Sequence, residues 1–189
     1  AIAGPSGSGK STLLQLMGGL RVPDKGVIQV NGTDLSIFDD EELAIFRRRN
    51  VGLIFRQYNL MPVLNVYENI TFPLELDSRT IDIEYIHQIA QLLDLEDKLT
   101  MFPKTLSSGE RQKVSIARAL STKPKVILAD EPTGNLDTRA ALEVVGLLKM
   151  TCKEFNQTIV MVTHDKEMAE MADQRIYLRD GKVEKIIRR

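Results

Sequence analysis

The chain has 189 residues, 43% of them hydrophobic, and its 25 Lys and Arg against 26 Asp and Glu give a formal net charge of −1 at pH 7. This length suits one domain with a smaller inserted unit, and the balanced charge gives no electrostatic reason to expect nucleic acid as a partner. The single cysteine, Cys152, excludes an internal disulfide, and no apolar run approaches the ~20 residues that span a membrane.

Strands and helices alternate in the first part of the chain. Ala1–Ala3 has the pattern of a strand end that runs directly into a glycine-rich loop, so we expect the strands that precede it in the complete fold to be missing. Gly18-Gly19 ends the helix after the loop, and Asn31-Gly32 marks a tight hairpin turn. The predicted elements are a strand ending at residue 3, a helix through 13–17, a strand over 27–30, a helix over 39–49 and a strand over 51–55.

Residues 58–123 differ in character, because they combine loops and helices with Pro62, Pro73 and Pro103 as punctuation. The alternation then returns and ends in two runs around Asp180-Gly181 that predict a β-hairpin. The predicted elements are helices over 81–95 and 110–120, a strand over 126–129, a helix over 140–155, a strand over 158–163 and the hairpin over 175–186. This order predicts an α/β fold with a mainly parallel sheet. Residues 1–57 and 124–189 are expected to form its core, and residues 58–123 an inserted helical subdomain.

The most specific motif is a glycine-rich loop between the first strand and the first helix. Its residues match G-x-x-x-x-G-K-[ST] in full, are followed by Thr12, and are Gly4, Pro5, Ser6, Gly7, Ser8, Gly9, Lys10 and Ser11. Glycines let backbone N–H groups surround a phosphate, and the helix N-terminus adds partial positive charge. In this pattern Lys10 reaches the β- and γ-phosphates and the Ser11 hydroxyl holds Mg²⁺. The alternative is a loop that only caps the helix, but the flanking strand and helix favour a P-loop NTPase.

Three further polar side chains follow predicted buried strands. Asp130 and Glu131 come directly after the strand over 126–129, and His164 follows the strand over 158–163. Open α/β sheets bind ligands at the carboxyl ends of their strands. Asp130 is therefore a candidate for holding Mg²⁺, Glu131 for orienting or deprotonating an attacking water, and His164 for contacting a γ-phosphate. The alternatives are a helix cap at Asp130-Glu131 and a structural histidine.

Together these motifs resemble the ATP-binding subunits of ABC transporters across essentially the whole chain. The signature of that family resembles Leu106-Ser107-Ser108-Gly109-Glu110, its D-loop resembles Gly134-Asn135-Leu136-Asp137, and its switch histidine corresponds to His164. Tyr58-Asn59-Leu60-Met61-Pro62 and the segment 131–137 resemble the subgroup that serves lipoprotein release, macrolide or antimicrobial-peptide export, and cell division.

The resemblance implies a RecA-like core that hydrolyses ATP with Mg²⁺, using Lys10, Glu131 and His164. It also implies a head-to-tail dimer that encloses two ATP molecules, in which Ser107 and the Gly109 N–H of one subunit face the γ-phosphate bound by the other. Closure of this dimer is expected to drive an integral membrane permease, serving export, at the cytoplasmic face of the membrane. The permease is expected to dock beside the segment 58–72.

Three features depart from the family pattern. The aromatic residue that stacks on adenine belongs to a segment before Ala1, and Ser108 replaces the first glycine of the signature. Arg56 replaces a glutamine that touches Mg²⁺, so we expect Arg56 to point away from the metal and Gln57 to be the substitute ligand. These departures leave two alternatives open. One is a degenerate module that binds ATP with weak or no hydrolysis, and the other is a non-transport ABC ATPase.

Overall fold

The computed structural model describes residues 1–188. The strands are β1 (Ile2–Ala3), β2 (Gln29–Val30), β3 (Thr33–Asp34), β4 (Val51–Phe55), β5 (Val126–Asp130), β6 (Thr158–Thr163), β7 (Gln174–Arg179) and β8 (Lys182–Arg188). The α-helices are α1 (Lys10–Met17), α2 (Asp40–Asn50), α3 (Val66–Leu76), α4 (Ile83–Leu92), α5 (Ser108–Ser121), α6 (Thr138–Glu154) and α7 (Lys166–Glu170). Short 3-10 helices lie at Leu35–Ile37, Glu96–Lys98 and Pro103–Thr105.

One six-stranded sheet, in the order β4-β5-β6-β1-β7-β8, forms the centre of the fold. Its first five strands pair in parallel, whereas β8 pairs antiparallel with β7 across the turn at Asp180-Gly181. A separate hairpin joins β2 and β3 through Asn31-Gly32. The α/β fold with a mainly parallel sheet and the terminal hairpin are therefore confirmed.

The register aligns the ends of the parallel strands at one edge of the sheet. Asp130 of β5 lies opposite Phe55 of β4 and Val162 of β6, and Ala3 of β1 lies opposite Thr163 of β6. The residues that come directly after these four strands are Gly4, Arg56, Glu131 and His164. The edge at which α/β sheets bind ligands therefore carries all four segments side by side.

Helices cover both faces of the sheet, because β5 places apolar side chains on both faces. Ile127 and Ala129 pack into a cluster formed with α3, α4, α5 and α6. Leu128, between them in sequence, packs on the other face with Leu14 of α1. Since successive side chains of a strand point to opposite faces, a strand that is apolar throughout needs cover on both sides. All three β5 side chains are at most 1% exposed.

The longest helix, α6, shows the amphipathic pattern that binds a helix to a sheet. Its buried residues include Ala141, Val144, Val145 and Leu148, which lie on one helical face at intervals of three and four. Three other helices begin with a capping box, in which two side chains exchange hydrogen bonds with backbone N–H groups. These pairs are Asp39 and Glu42 in α2, Asn65 and Glu68 in α3, and Ser107 and Glu110 in α5. Within residues 1–188, no helix is both long and apolar enough to cross a membrane.

Between β4 and β5 the described chain is built from helices and loops. Pro73 does not interrupt this segment as expected, because it lies inside α3. A proline there removes the backbone hydrogen bond to the carbonyl of Asn69, but Ile70 and Leu74 are buried on either side and hold the helix in place. The helical subdomain over 58–123 follows this distribution of helices, and its boundaries stay a prediction.

Candidate functional site

The glycine-rich loop leaves β1 near the centre of the sheet and leads into α1. A Cβ built on Gly4 would lie 2.1 Å from the carbonyl oxygen of Leu178, so a side chain does not fit there. Gly9 has a φ of 93°, a conformation that other residues rarely adopt. The turn of the β7–β8 hairpin supports the loop from outside, because the Gly181 N–H donates to the Ser8 carbonyl at 3.2 Å. The backbone of the loop is thus fixed by its neighbours.

No side chain caps the first backbone N–H groups of α1. Gly9 occupies the N-cap position, where it has no side chain to cap the first N–H groups, and the first turn contains no acidic residue. The hydroxyl of Ser8, a residue only 2% exposed, has no hydrogen-bond partner within residues 1–188. Donors at a helix N-terminus, together with its partial positive charge, suit a phosphate group. The loop therefore fits the triphosphate of a nucleotide.

Lys10 adds a full positive charge to this loop. Its side chain is folded over the loop, where Nζ donates to the carbonyls of Gly4 at 3.0 Å and of Pro5 at 2.8 Å. The residue is 7% exposed, so the ammonium is largely shielded from solvent. A shielded cation attracts an anionic ligand more strongly than an exposed one, because the effective dielectric is lower.

A hydroxyl and a carboxylate meet where α1 approaches the end of β5. The Ser11 hydroxyl donates to Oδ1 of Asp130 at 2.9 Å. Asp130 is the last residue of β5, and Ser11 is the second residue of α1. Mg²⁺ prefers oxygen ligands and typically binds through one or two carboxylates together with substrate phosphates. The structure thus brings together two of the three predicted magnesium ligands, and their chemistry suits the ion.

Glu131 and His164 form the second pair at the sheet edge. Both carboxylate oxygens of Glu131 lie 2.8 Å from Nδ1 of His164. Since an ionised carboxylate only accepts hydrogen bonds, Nδ1 is the donor in this pair. The Glu131 side chain is 18% exposed and that of His164 is 62% exposed. Glu131 has a φ of 50°, and its N–H donates to the carbonyl of Val162 at 3.0 Å.

The segment after β4 places Arg56 and Gln57 differently from each other. The guanidinium of Arg56 donates to the Gly134 carbonyl and the Asn135 amide oxygen, so it points toward the segment after Glu131. Gln57 is exposed, and its side chain makes no hydrogen bond to any residue in the range 1–188. The role of Gln57 as a magnesium ligand stays a prediction.

Ser107 and Gly109 lie at the start of α5. The Ser107 hydroxyl accepts from the Glu110 N–H at 3.2 Å, and the Glu110 carboxylate accepts from the Ser107 N–H at 2.7 Å. No hydrogen bond or ion pair of the described chain joins either residue to the loop over 4–12. The structure therefore does not bring these two predicted ATP contacts to the phosphate loop of their own chain.

Two polar side chains with no role predicted from the sequence hold the segment after β4. The Arg118 guanidinium of α5 donates to the carbonyls of Tyr58 at 2.7 Å and Asn59 at 2.6 Å, and burial lowers its pKa. Asn69 of α3 is fully buried, and its amide bonds the backbone of Met61 in both directions. A polar residue among the apolar residues of a helical segment is the only sequence signal for either contact.

A parallel α/β sheet whose strand ends unite a phosphate loop, a hydroxyl–carboxylate pair and a carboxylate–imidazole pair defines a P-loop nucleotide-binding ATPase. A family model described as ABC transporter matches residues 1–134. The chain belongs to the ABC transporter family, and it is an ATP-binding, ATP-hydrolysing transporter subunit. The family and the activity expected from the sequence are confirmed.

Curated relatives span several transport systems. The chain is 44% identical over 185 residues to lipoprotein-releasing system ATP-binding protein LolD 1 of Chlorobium chlorochromatii, covering 96% of this chain and 75% of the relative. It is 42% identical to ABC transporter ATP-binding protein YtrE of Bacillus subtilis, covering 95% of this chain and 79% of the relative. It is also 37% identical to macrolide export ATP-binding/permease protein MacB of Bdellovibrio bacteriovorus, covering 97% of this chain and 28% of that protein.

Solved structures of one cassette, MJ0796, share the fold. A dimeric structure of this bacterial ABC transporter cassette superimposes with a TM-score of 0.86 at 39% identity, covering 99% of this chain and 83% of the other. A second dimeric structure, of a post-hydrolysis state bound to ADP and Pi, gives a TM-score of 0.85 at the same identity. The fold class is therefore shown independently of the motifs.

Proposed function

We propose that this chain drives a membrane permease, most simply an exporter, as one half of a head-to-tail dimer at the cytoplasmic face of the membrane. The observation that carries the proposal is the meeting of four strand ends at one edge of the sheet. There the phosphate loop, the Ser11–Asp130 pair and the Glu131–His164 pair lie together. Among the described residues, these are the groups that hydrolysis of a triphosphate requires.

Each group has a separate task in the proposed reaction. Lys10 and the first N–H groups of α1 bind the phosphates of ATP, and Ser11 with Asp130 holds Mg²⁺, which neutralises phosphate charge when bound. Glu131 orients the attacking water and accepts its proton. His164 holds the Glu131 carboxylate through Nδ1, and Nε2 on the other side of the ring donates to the γ-phosphate when it also carries a proton.

Dimer formation explains the position of the signature residues. Ser107 is the N-cap of α5 and Gly109 its second residue, and the N-terminus of this helix carries partial positive charge. Since no hydrogen bond or ion pair within residues 1–188 joins these two residues to the phosphate loop of their own chain, the proposed ligand of this helix end is the ATP of a second subunit. The dimeric MJ0796 cassettes support this arrangement.

A cleft between the core and α3 is the proposed docking site of the permease. It has a volume of about 340 Å³, and its lining residues include Phe55, Asn59, Phe72, Pro73 and Arg118. The aromatic and proline side chains give part of the cleft an apolar lining, and an amphipathic helix binds a groove through its apolar face. The residues of this cleft therefore suit a short helix of a membrane protein.

The loop beside this cleft has the exposed apolar side chains that docking needs. Met61 is 40% exposed and Val63 is 78% exposed, whereas Val66, in the first turn of α3, is fully buried. Of the apolar side chains in this segment, Val66 therefore packs inside the protein, whereas Met61 and Val63 are exposed to a partner. Arg118 binds the carbonyls of Tyr58 and Asn59, so α5 and the loop are expected to move together when the partner moves.

ATP binding and steady-state hydrolysis, measured side by side on the wild-type protein and Glu131→Gln, test the proposed function. Glu131→Gln keeps the size of the side chain but removes the proton acceptor, so turnover is expected to fall about 10²–10⁴-fold while ATP binding is retained. A wild-type protein that binds ATP without turnover would instead be a degenerate binding module. Hydrolysis by Glu131→Gln at the wild-type rate would remove Glu131 from the mechanism.

A further inference from the structure

We propose that Arg56 is a positioning residue for ATP hydrolysis, because its guanidinium holds the Gly134-Asn135 segment and so fixes the turn that carries Glu131. This inference rests on the proposed function, in which Glu131 acts on the attacking water. Arg56 comes directly after β4 and Glu131 directly after β5, and these two strands are neighbours in the sheet. The two residues therefore belong to adjacent segments of the same edge.

Three hydrogen bonds join Arg56 to the segment after Glu131. Nε of Arg56 donates to Oδ1 of Asn135 at 3.1 Å, and Nη2 donates to the Gly134 carbonyl at 2.9 Å. In return, Nδ2 of Asn135 donates to the Arg56 carbonyl at 2.8 Å. We call this set the Arg56 clip. The guanidinium holds two donor nitrogens, Nε and Nη2, at a fixed spacing, and each reaches its own acceptor, whereas a lysine ammonium has a single donor nitrogen on a flexible stem.

Gly134 provides the space that the clip needs. A Cβ built on Gly134 would lie 2.6 Å from Nε of Arg56 and 3.0 Å from its Cδ. The φ of Gly134 is not in the left-handed region, so the glycine is not required by the backbone conformation. The glycine at this position therefore leaves the room in which the Arg56 side chain approaches the backbone.

The clip acts on Glu131 through a short turn. The Gly134 N–H donates to the Glu131 carbonyl at 3.0 Å, which closes a turn over residues 131–134. Glu131 itself has a φ of 50°, and such a conformation in a non-glycine residue persists when its surroundings hold it. One anchor is the bond from its N–H to Val162, and the Arg56 clip supplies the second anchor at the other end of the turn.

The clip contributes little to the stability of the fold. Arg56 and Asn135 are both exposed, and hydrogen bonds between exposed groups compete with water. The acceptors of the guanidinium are neutral oxygens, and no ion pair of the described residues includes Arg56. Removing the clip is therefore expected to change the geometry of the site while the protein stays folded.

A double-mutant cycle with Arg56→Ala and Gly134→Ala tests the clip. Arg56→Ala is expected to lower kcat about tenfold and to change KM less than about twofold, since binding of the phosphates depends on other residues. Gly134→Ala is expected to displace the guanidinium and give a similar loss. The double variant is expected to be no worse than either single variant, because the two changes break the same contact. Arg21→Ala, at an exposed arginine of the loop after α1, is the matched control.

Two further variants separate the clip from charge and from folding. Arg56→Lys keeps the charge but replaces the two fixed donor nitrogens by one, which cannot take the positions of both Nε and Nη2, so it is expected to lose most of the activity that Arg56→Ala loses. Full activity in Arg56→Lys would overturn the proposal. Asn135→Ala removes two of the three hydrogen bonds from the other side and is expected to lower kcat even if Arg56→Ala fails to fold. Thermal melting of each variant checks that the fold is intact.

The results also distinguish the clip from the proposed function. If wild-type hydrolysis depends on Glu131 but Arg56→Ala leaves kcat unchanged, the clip has no positioning role. Losses that multiply in the double variant would likewise overturn it. If wild-type hydrolysis is absent or insensitive to Glu131→Gln, the proposed function fails, and the inference fails with it.

Discussion

The Nδ1 atom of His164 lies 2.8 Å from both carboxylate oxygens of Glu131. These residues are 33 positions apart in the chain and meet because β5 and β6 are neighbouring parallel strands. An N–H shared between two oxygens fixes the plane of the carboxylate, and so the direction in which it can accept a proton from water. His164 thus orients the proposed general base.

His164→Ala is expected to lower kcat about 10–100-fold, because the carboxylate of Glu131 loses the partner that orients it. ATP binding is expected to change much less, since the phosphate loop is untouched. The control is His87→Ala, because His87 is the other of the two histidines and is exposed on α4. Steady-state kinetics on both variants make the comparison, and equal turnover in the two would show that His164 does not orient the base.

Lys10→Ala is expected to weaken ATP binding about 10–100-fold, because a charged hydrogen-bond donor to the phosphates is removed. Titration with a fluorescent ATP analogue measures the dissociation constant directly, without relying on hydrolysis. Lys25→Ala, which removes an exposed lysine from the loop after α1, serves as the control for net charge. An unchanged dissociation constant in Lys10→Ala would place the phosphates elsewhere.

Gly4→Ala is expected to destabilise the protein by about 1–3 kcal/mol, because its Cβ would meet the Leu178 carbonyl, a backbone group that cannot move aside. Gly146→Ala is the matched control, since Gly146 lies within α6 and a Cβ there would meet no atom within 4 Å. Alanine is the better helix former, so this variant is expected to gain about 0.5–1 kcal/mol. Denaturant unfolding measures both, and two changes of the same sign would contradict the packing argument.

Val63→Glu is expected to uncouple transport from hydrolysis, because it places a charge on the apolar loop beside the proposed docking cleft. Val63 is 78% exposed, so the soluble protein is expected to fold normally and keep its basal ATPase rate. Ile37→Glu, at another exposed apolar position (68%), provides the control. Affinity for the permease and ATPase stimulation in reconstituted membranes are the measurements. Unchanged affinity in Val63→Glu would move the docking site away from this loop.

Low pH is expected to remove the contribution of Asp77 to the stability of the folded state. Asp77 joins the end of α3 to α2. Its carboxylate accepts from Nε of Arg49 at 2.8 Å and lies 2.8 Å from Nη2 of Arg48. The Arg49 hydrogen bond, with Arg48 nearby, holds the pKa of Asp77 below its usual value. A lowered pKa in the folded state stabilises the fold above the unfolded pKa of about 4, and the contribution is lost as the pH falls through the folded pKa.

The Tm of Asp77→Asn is therefore expected to lie below that of the wild type at pH 7, with a gap that narrows as the medium becomes acidic. Melting curves at several pH values, with exposed Asp24→Asn as the control, measure this gap. A gap that widens toward acid would mean that Asp77 stabilises the protonated rather than the ionised state.

Local patterns and strand order were enough to predict most of the site. The glycine-rich loop is contiguous in sequence, and residues that directly follow parallel strands must meet at one edge of the sheet, so Asp130, Glu131 and His164 were expected together. The Arg118 and Asn69 contacts could not be predicted, because they depend on how helices distant in sequence pack against one loop. The continuation of α3 through Pro73 was missed for the same reason, since burial outweighs the local preference of proline.

The close approach of Arg56 to Gly134 also restricts how the sequence can evolve. A side chain at position 134 would displace the guanidinium of Arg56 from its present place, so the hydrogen bonds of the Arg56 clip form only when a glycine is present at 134. The reverse does not hold, because a glycine at 134 needs no arginine opposite it. Homologues are therefore expected to show a one-way dependence. Homologues with arginine at position 56 should have glycine at position 134. Homologues with glycine at position 134 should have many different residues at position 56.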